Sequence, residues 1–474
     1  MITAAAPARF AEKRAALAAV MRAAGGGIAF IPTAPERQRN SDSNHPYRHD
    51  SHFHHLTGFN EPDSWLVLRS DGSSLIFLRE KNPEREIWDG LRLGVESAPA
   101  VLGVEQALPI GELDGAMPGL LDGQAAIWWP FGEQPGIEMR IEGWLGALRS
   151  RARLGAAAPS RLLDLLPLLG ELRLIKDSSE IDLMRRAADI SAQAHRRAMQ
   201  FCARRVQAGS TALHEYEIEA ELLHEFRRHG ASGPAYSPIV AAGANACVLH
   251  YAAGDATSGD ATLRRGELCL IDAGCEFAGY AADITRTFPA DGHFSAAQRE
   301  LYELVLAAQQ AAIDVTKPGA RQRDAHHAAV RVLAQGMLDV GLLDRDRQGD
   351  VDAVIDSAAY RAFYMHGTGH WLGRDVHDVG EYLAIDEDLV DQPDGNGGRC
   401  VRKPSRVLRP GMVVTLEPGI YVRPGPGIDE RWWNIGIRIE DDAVVTATGC
   451  ELISRGVPVG AAEIEALMRE SEAP

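Results

Sequence analysis

Apolar positions along the chain recur at two spacings, and the switches between them mark the elements. The opening run MITAAAPARFAEKRAALAAVMRAAGGG sets apolar residues against Arg9, Glu12, Lys13 and Arg14, the pattern of an amphipathic helix. GIAFIPTA (27–34) then reads as a strand, and SWLVLRSDGSSLIFLRE (64–80) as two strands about an Asp71-Gly72 turn. AAIWWP (125–130) adds another strand, so the first part alternates β with α and predicts a small α/β domain. Near Leu174–Lys176 the character changes. KDSSEIDLMRRAADISAQAHRRAMQFCARRV starts a long helix, with Asp177 as N-cap and Glu180 at the capping-box position. Further helices are predicted over 213–229, from Ser295 with Gln298 as its capping partner, and over 324–340. LCLIDAG, YAADITRTF, VVTLEPGIYV and IGIRIEDDAVVT alternate with them as strands. The second part is therefore α+β, and the domains are set at 1–174 and 175–474.

Composition narrows the function. A chain of 474 residues is long for one core, which agrees with two domains. Lys plus Arg number 49 and Asp plus Glu 66, a net charge of −17. Such a surface repels nucleic acid and anionic membranes. No apolar run is long enough for a bilayer, and the charges in the first helix argue against a signal peptide. Six cysteines without a C-x-x-C pair fit reduced thiols in a cytoplasmic protein, although an even number also permits disulfides.

Titratable residues cluster in HGTGHWLGRDVHD (366–378), which holds His366, His370 and His377. His366 and His370 have the spacing of the zinc-protease H-E-x-x-H helix, but Gly367 stands where that motif has Glu. Gly367 and Gly369 each disfavour a helix interior by about 1 kcal/mol, so the stretch is predicted to be a loop or irregular strand.

Four other stretches carry candidate chemistry. Asp272 ends one strand and Asp283 lies in the next, so hairpin pairing would bring them to one site. Glu417 follows an apolar run; Arg438 and Glu440 share a strand face; His250 follows the apolar stretch in CVLHYAAGD. Singly, each has an ordinary reading: a turn aspartate, a solvated strand end, an Arg438–Glu440 salt bridge, a structural histidine. As a set they are harder to dismiss, because buried carboxylates need compensating cations. Four carboxylates and one histidine suit two hard divalent ions, and paired ions support metal-assisted amide hydrolysis.

The order Asp272, Asp283, His370, Glu417, Glu440 resembles the five-ligand set of the pita-bread metallopeptidases, which include methionine aminopeptidases, prolidases and Xaa-Pro aminopeptidases. HGTGHWLGRDVHDVG, GMVVTLEPGIY and GIRIEDD resemble the C-terminal signatures of that family. YRHDSHFHHLTGFNEPDS, with EIWDGLRLG, resembles the N-terminal domain of bacterial aminopeptidase P. The resemblance implies an α/β N-terminal domain followed by an α+β pita-bread catalytic domain, and hydrolysis of the first bond of peptides with proline second. It implies two divalent ions, Mn²⁺ first among Co²⁺, Fe²⁺ and Zn²⁺. Asp272 would bind one ion, Asp283 and Glu440 would bridge, and His370 and Glu417 would hold the other. Glu417 would also be the acid/base partner of a bridging hydroxide. His250 and His377 would contact the scissile peptide, and His366 would line the proline pocket. Arg438 would orient a ligand carboxylate and Tyr236 would lie nearby. Asp50 and Trp88 match positions that approach a catalytic site across domains or subunits. Relatives imply a homodimer or homotetramer in the cytoplasm.

Two alternatives remain at this point: a prolidase restricted to dipeptides, and a non-catalytic pita-bread binding protein. Residues 382–407 are longer and more polar than the family pattern and read as a surface loop near the cleft mouth.

Overall fold

The computed structural model describes residues 6–207, 213–252, 254 and 261–470. It divides into two compact units, Met1–Arg173 and Leu174–Pro474.

The first unit is built on a six-stranded mixed sheet. Strand β1 (Ile28–Pro32) pairs antiparallel with β2 (Trp65–Arg69) and parallel with β4 (Ala126–Trp129). The β2 partner on the other side is β3 (Ser74–Leu78), joined through a turn in which Gly72 takes φ +101°. That conformation explains the Asp-Gly signal. β1 and β3 are buried at every position. Apolar side chains therefore leave both sheet faces, and the sheet separates two hydrophobic clusters. Helix α1 (Ala6–Ala23) buries Leu17, Ala18 and Met21 in one of them. It buries Arg14 as well, whose guanidinium donates to the Leu56 carbonyl. The first five residues of the predicted opening helix lie outside the described ones. Asp50 caps α2 (Ser51–Thr57), accepting from the Phe53 N–H at 2.7 Å. Trp88 lies on α3 (Pro83–Asp89) with 83% of its surface exposed.

The second unit begins with α4 (Ser178–Gln207). The capping box is present: the Glu180 N–H donates to Asp177, and the Asp177 N–H to the Glu180 carboxylate. Helix α5 (Glu215–Arg228) packs on α4, and α6 (Ala296–Val315) packs on α7 (Gln322–Asp339). Ser295 and Gln298 cap α6 reciprocally, as their spacing predicts. Against these helices lie short antiparallel ladders. One holds β5 (Ile239–Ala242), β6 (Leu268–Asp272) and β7 (Thr285–Pro289). A second pairs β8 (Val413–Leu416) with β11 (Asp441–Val445), and a third pairs β9 (Gly419–Val422) with β10 (Ile435–Arg438). All six cysteines are free thiols, so no disulfide set exists.

His195, on α4, is fully buried, and its Nε2–H donates to the Ala273 carbonyl at 2.9 Å. Burial pushes its pKa from 6.5 down to about 4. Between those values the unfolded chain binds the proton and the folded chain does not. Stability from this group is thus intact above pH 6.5, is lost as pH falls toward 4, and changes no further below. The full loss is on the order of 3 kcal/mol. Urea midpoints measured from pH 7 to pH 4 should fall along this course, and His195→Gln should flatten the slope.

Candidate metal centre and active site

Strand register brings the acidic residues together. Asp272 ends β6 directly opposite Thr285, the first residue of β7. Asp283 stands two positions before Thr285, outside the strand, and the Tyr236 hydroxyl, 2.6 Å from both aspartates, places it beside Asp272. The chain between the two aspartates forms its own small hairpin, Cys275–Phe277 with Tyr280–Ala281, in place of a simple turn. It crowds tightly: a Cβ on Gly274 would lie 1.7 Å from the Ala282 carbonyl oxygen. Glu440 joins through its backbone, its N–H donating to the Thr285 carbonyl at 3.0 Å. Its Oε2 accepts from the Thr285 hydroxyl at 2.7 Å.

The 366–378 stretch is an irregular loop with no helix, laid along β8. The Thr415 N–H donates to the His370 carbonyl at 3.0 Å, and the Glu417 N–H to the Thr368 carbonyl at 2.8 Å. This lacing needs Gly369, where an added Cβ would sit 1.9 Å from the Thr415 oxygen. Gly369→Ala is expected to displace His370 and to lower activity about a hundredfold, the cost of roughly 1 Å of misplacement. Gly367→Ala, whose Cβ meets nothing within 4 Å, should be much milder in the same assay.

The His370 Nδ1–H donates to the Trp371 carbonyl at 2.9 Å. That bond directs Nε2 toward Asp283 Oδ2 at 3.4 Å and Glu417 Oε1 at 3.8 Å. A carbonyl holding one ring nitrogen while the other faces carboxylates is how metal-binding histidines are oriented. Ligand atoms of Asp283, His370 and Glu440 lie within 4.8 Å of one another.

Arg438 donates to Asp272 Oδ2 at 2.7 Å, to the Thr285 hydroxyl and to the Tyr421 hydroxyl. The ion pair is thus made with Asp272; the salt bridge to Glu440 that sequence proximity suggested is not formed, because the Glu440 carboxylate turns to Thr285. The Tyr236 hydroxyl lies 2.6 Å from Oδ1 of both Asp272 and Asp283 and shares its proton between them. His366 accepts at Nε2 from the Tyr421 hydroxyl at 2.8 Å. The His377 ring meets His370 edge-on with centroids 4.2 Å apart. His250 does not follow a strand: Gly243–Cys247 is a 3₁₀ turn, and His250 sits exposed in the turn after it. Thr285 and Tyr421 stand behind the wall; the others, His250 included, line one cavity of 780 Å³.

Charge in this cavity is unbalanced. Burial raises the Asp283 pKa, and the neighbouring Asp272 raises it further. Glu440 is pushed well up by burial and then by Asp283, Glu417 and Asp272. Burial lifts Glu417 to about 7, against the pull of His370 and Arg438. His370 is held up at about 9; burial opposes this, and the Asp283 hydrogen bond and charge outweigh it. Burial, with Arg438 next, drives His366 down to about 3. Five carboxylates, Glu219 with the four candidates, line the cavity against the Arg438 guanidinium and the His370 ring, and oxygen-rich sites with one imidazole accept hard divalent cations, which would cancel this repulsion. The donor set fits such ions.

Residues that sequence reasoning passed over support this set. Thr285 links Arg438 to Glu440, and Tyr421 links Arg438 to His366. Asp442, fully buried, accepts from the Asp283 N–H. Asp442 had a signal, lying two positions beyond Glu440 on a strand; Thr285 and Tyr421 had none.

Residues 182–447 match the model of metallopeptidase family M24. The chain belongs to that family. Residues 10–128 match the aminopeptidase P N-terminal domain, so this M24 chain has the two-domain architecture its motifs implied. It is 42% identical to the Xaa-Pro aminopeptidase of Escherichia coli K12 over 463 residues, covering 97% of each chain. Its fold superimposes on Pseudomonas aeruginosa aminopeptidase PepP with a TM-score of 0.90 at 46% identity, over the whole of both chains. Zinc-substituted E. coli aminopeptidase P in complex with product matches at 0.88 and 40% identity, over 99% of both chains. An N-terminal α/β domain with a pita-bread catalytic domain is therefore the fold of this M24 peptidase.

Proposed function

We propose that this chain is a metal-dependent aminopeptidase that hydrolyses the first bond of peptides carrying proline in second position. The observation that carries the proposal is the convergence of Asp272, Asp283, His370, Glu417 and Glu440 on one cavity. It occurs in a chain similar end to end to Xaa-Pro aminopeptidases. Two divalent ions, Mn²⁺ first, would be held there by Asp272, Asp283, His370, Glu417 and Glu440. When bound, such ions polarise a carbonyl oxygen and acidify water.

The protein's own groups do the rest. Asp272 is oriented for its part by Arg438 and Tyr236. Glu417, which opens on the same cavity 3.8 Å from His370, would take and return a proton there. His250 and His377 lie exposed on the cavity wall, where an imidazole N–H meets a peptide carbonyl. His366 stays neutral and, locked on Tyr421, presents a flat wall to a proline ring. Proline lacks an N–H and restricts the residue before it, so a site that grips the amine and carbonyl oxygen suits it. Asp50 and Trp88 belong to the same reading as contributions of the N-terminal domain to oligomerisation or substrate access. A homodimer or homotetramer in the cytoplasm completes it, and six free thiols fit a reducing compartment.

The deciding experiment gives the Mn²⁺-loaded protein Xaa-Pro, Xaa-Pro-Yaa-Zaa and Xaa-Ala-Yaa-Zaa. Release of Xaa from the longer proline peptide but not from the alanine peptide is expected. Cleavage of the dipeptide alone would mean a prolidase, and no cleavage by a metal-loaded sample would favour a binding protein.

A further inference from the structure

Residues 382–407, which read as a polar surface loop, are built around a two-stranded hairpin of Val390–Pro393 with Arg399–Arg402. Leu383, Pro393, Asp394 and Gly395 wall a second cavity, of 640 Å³. Its lining shares His366, Gly367 and Gly369 with the catalytic cavity. The loop that ends in His370 therefore serves two chambers.

The second chamber has the opposite electrostatic character. Arg323, Arg331, Arg361, His326 and His327 line it against a single carboxylate, Asp394. That carboxylate is occupied by its own turn, accepting from the N–H groups of Asn396 and Gly398. Arg331 is paired with Asp352. Arg361 donates to the Gly395 and Met365 carbonyls, which leave its charge uncancelled. The Arg323 side chain, at the start of α7, has no hydrogen-bond or ion-pair partner among the described residues. Burial, with Arg402 next, lowers its pKa. Arg402 itself has a buried Nε without a partner. In a chain of net charge −17 carboxylates are plentiful, yet among the described residues Arg331 has one as its ion-pair partner while Arg323 and Arg361 do not. Adjacent guanidiniums with free donors are a recognition surface for planar or tetrahedral anions.

We propose that this chamber binds a carboxylate- or phosphate-class anion through Arg323. The anion comes either from an acidic side chain or C-terminal carboxylate of a peptide reaching past His366, or from a free small anion. The peptide source rests on the aminopeptidase reading; the free-anion source does not. Occupancy would be felt at the catalytic loop. Gln322 donates to the Gly369 carbonyl, and His326 Nδ1 lies 2.9 Å from the Thr368 hydroxyl, both from the same turn of α7 as Arg323.

The test compares wild type, Arg323→Gln and Arg361→Gln as metal-loaded full-length proteins. Substrates are Xaa-Pro-Ala-Ala-Glu with a free C-terminus and Xaa-Pro-Ala-Ala-Gln amide. Inorganic phosphate and citrate are titrated separately by thermal shift, which needs no turnover. With a peptide source, wild type has a KM for the acidic peptide lower by roughly three- to fivefold. Arg323→Gln loses that advantage while handling the neutral amide as wild type does. With a free-anion source, KM ignores peptide charge, and phosphate or citrate raises the melting temperature of wild type but not of Arg323→Gln. If neither peptide charge nor added anion separates wild type from either variant, the proposal is overturned. Failure of wild type to cleave even the neutral amide would instead count against the aminopeptidase reading, with the thermal-shift arm still deciding the chamber.

Discussion

Asp283→Asn is expected to reduce turnover by roughly three orders of magnitude while leaving the chain folded. Loss of an orienting partner of a metal ligand typically costs 10–100-fold, and a proposed bridging ligand should cost more. The substitution conserves shape and removes only charge. In the metal-free protein it also removes a buried carboxylate charge, which burial disfavours first and the neighbouring carboxylates disfavour further. The metal-free variant should therefore melt at or above the wild-type temperature, while its bound metal, measured after loading and desalting, falls. Activity within tenfold of wild type would remove Asp283 from the ligand set. A large drop in metal-free melting temperature would mean that Asp283 supports the fold and not the chemistry.

Arg286→Met should produce the largest loss of stability. The Arg286 side chain is fully buried, as is that of its partner Asp441 at 2.8 Å. It also donates to the carbonyls of Glu440 and Pro458. Removing one member of a buried pair leaves an uncompensated charge, at a typical cost of 3–5 kcal/mol. Arg455 still reaches Asp441 at 3.1 Å, which places the expected loss near the lower end, about 3 kcal/mol. Because Arg286 anchors the Glu440 backbone, metal affinity should fall as well. Adding Asp441→Asn should recover part of the stability, since the orphaned charge is then gone. Urea denaturation of the single and double variants measures this, and a loss under 1 kcal/mol in the single variant would show that Arg455 suffices.

Much of this was legible in the chain because it is local. The Asp177–Glu180 and Ser295–Gln298 boxes are three-residue patterns, and they close as their spacing requires. The Asp71-Gly72 turn needs a positive φ that glycine supplies. Gly367 and Gly369 argued against a helix at 366–370, and the loop is irregular. What failed is equally specific. His250 was placed after a strand, because CVLH is apolar, but the turn at Gly243–Cys247 intervenes. Arg438 was expected to orient a ligand carboxylate, but which one was not legible: Asp272, 166 residues away on a strand of another sheet, takes its hydrogen bond. Residues 382–407 gave a polar composition without the hairpin or the chamber behind it.

The sequence by itself determined many of the elements and the inventory of carboxylates and histidines whose order carries the family. These follow from propensity, periodicity and residue type, which act over a few positions. The tertiary structure alone decided which of those groups share a cavity and which proton each holds. It also decided which carboxylate Arg438 serves and that Thr285, Tyr421 and Asp442 stand behind the proposed ligands. Those outcomes depend on register between strands far apart in the chain and on burial. Both are set by the packing of the whole second unit, and neither leaves a mark in any short window of residues.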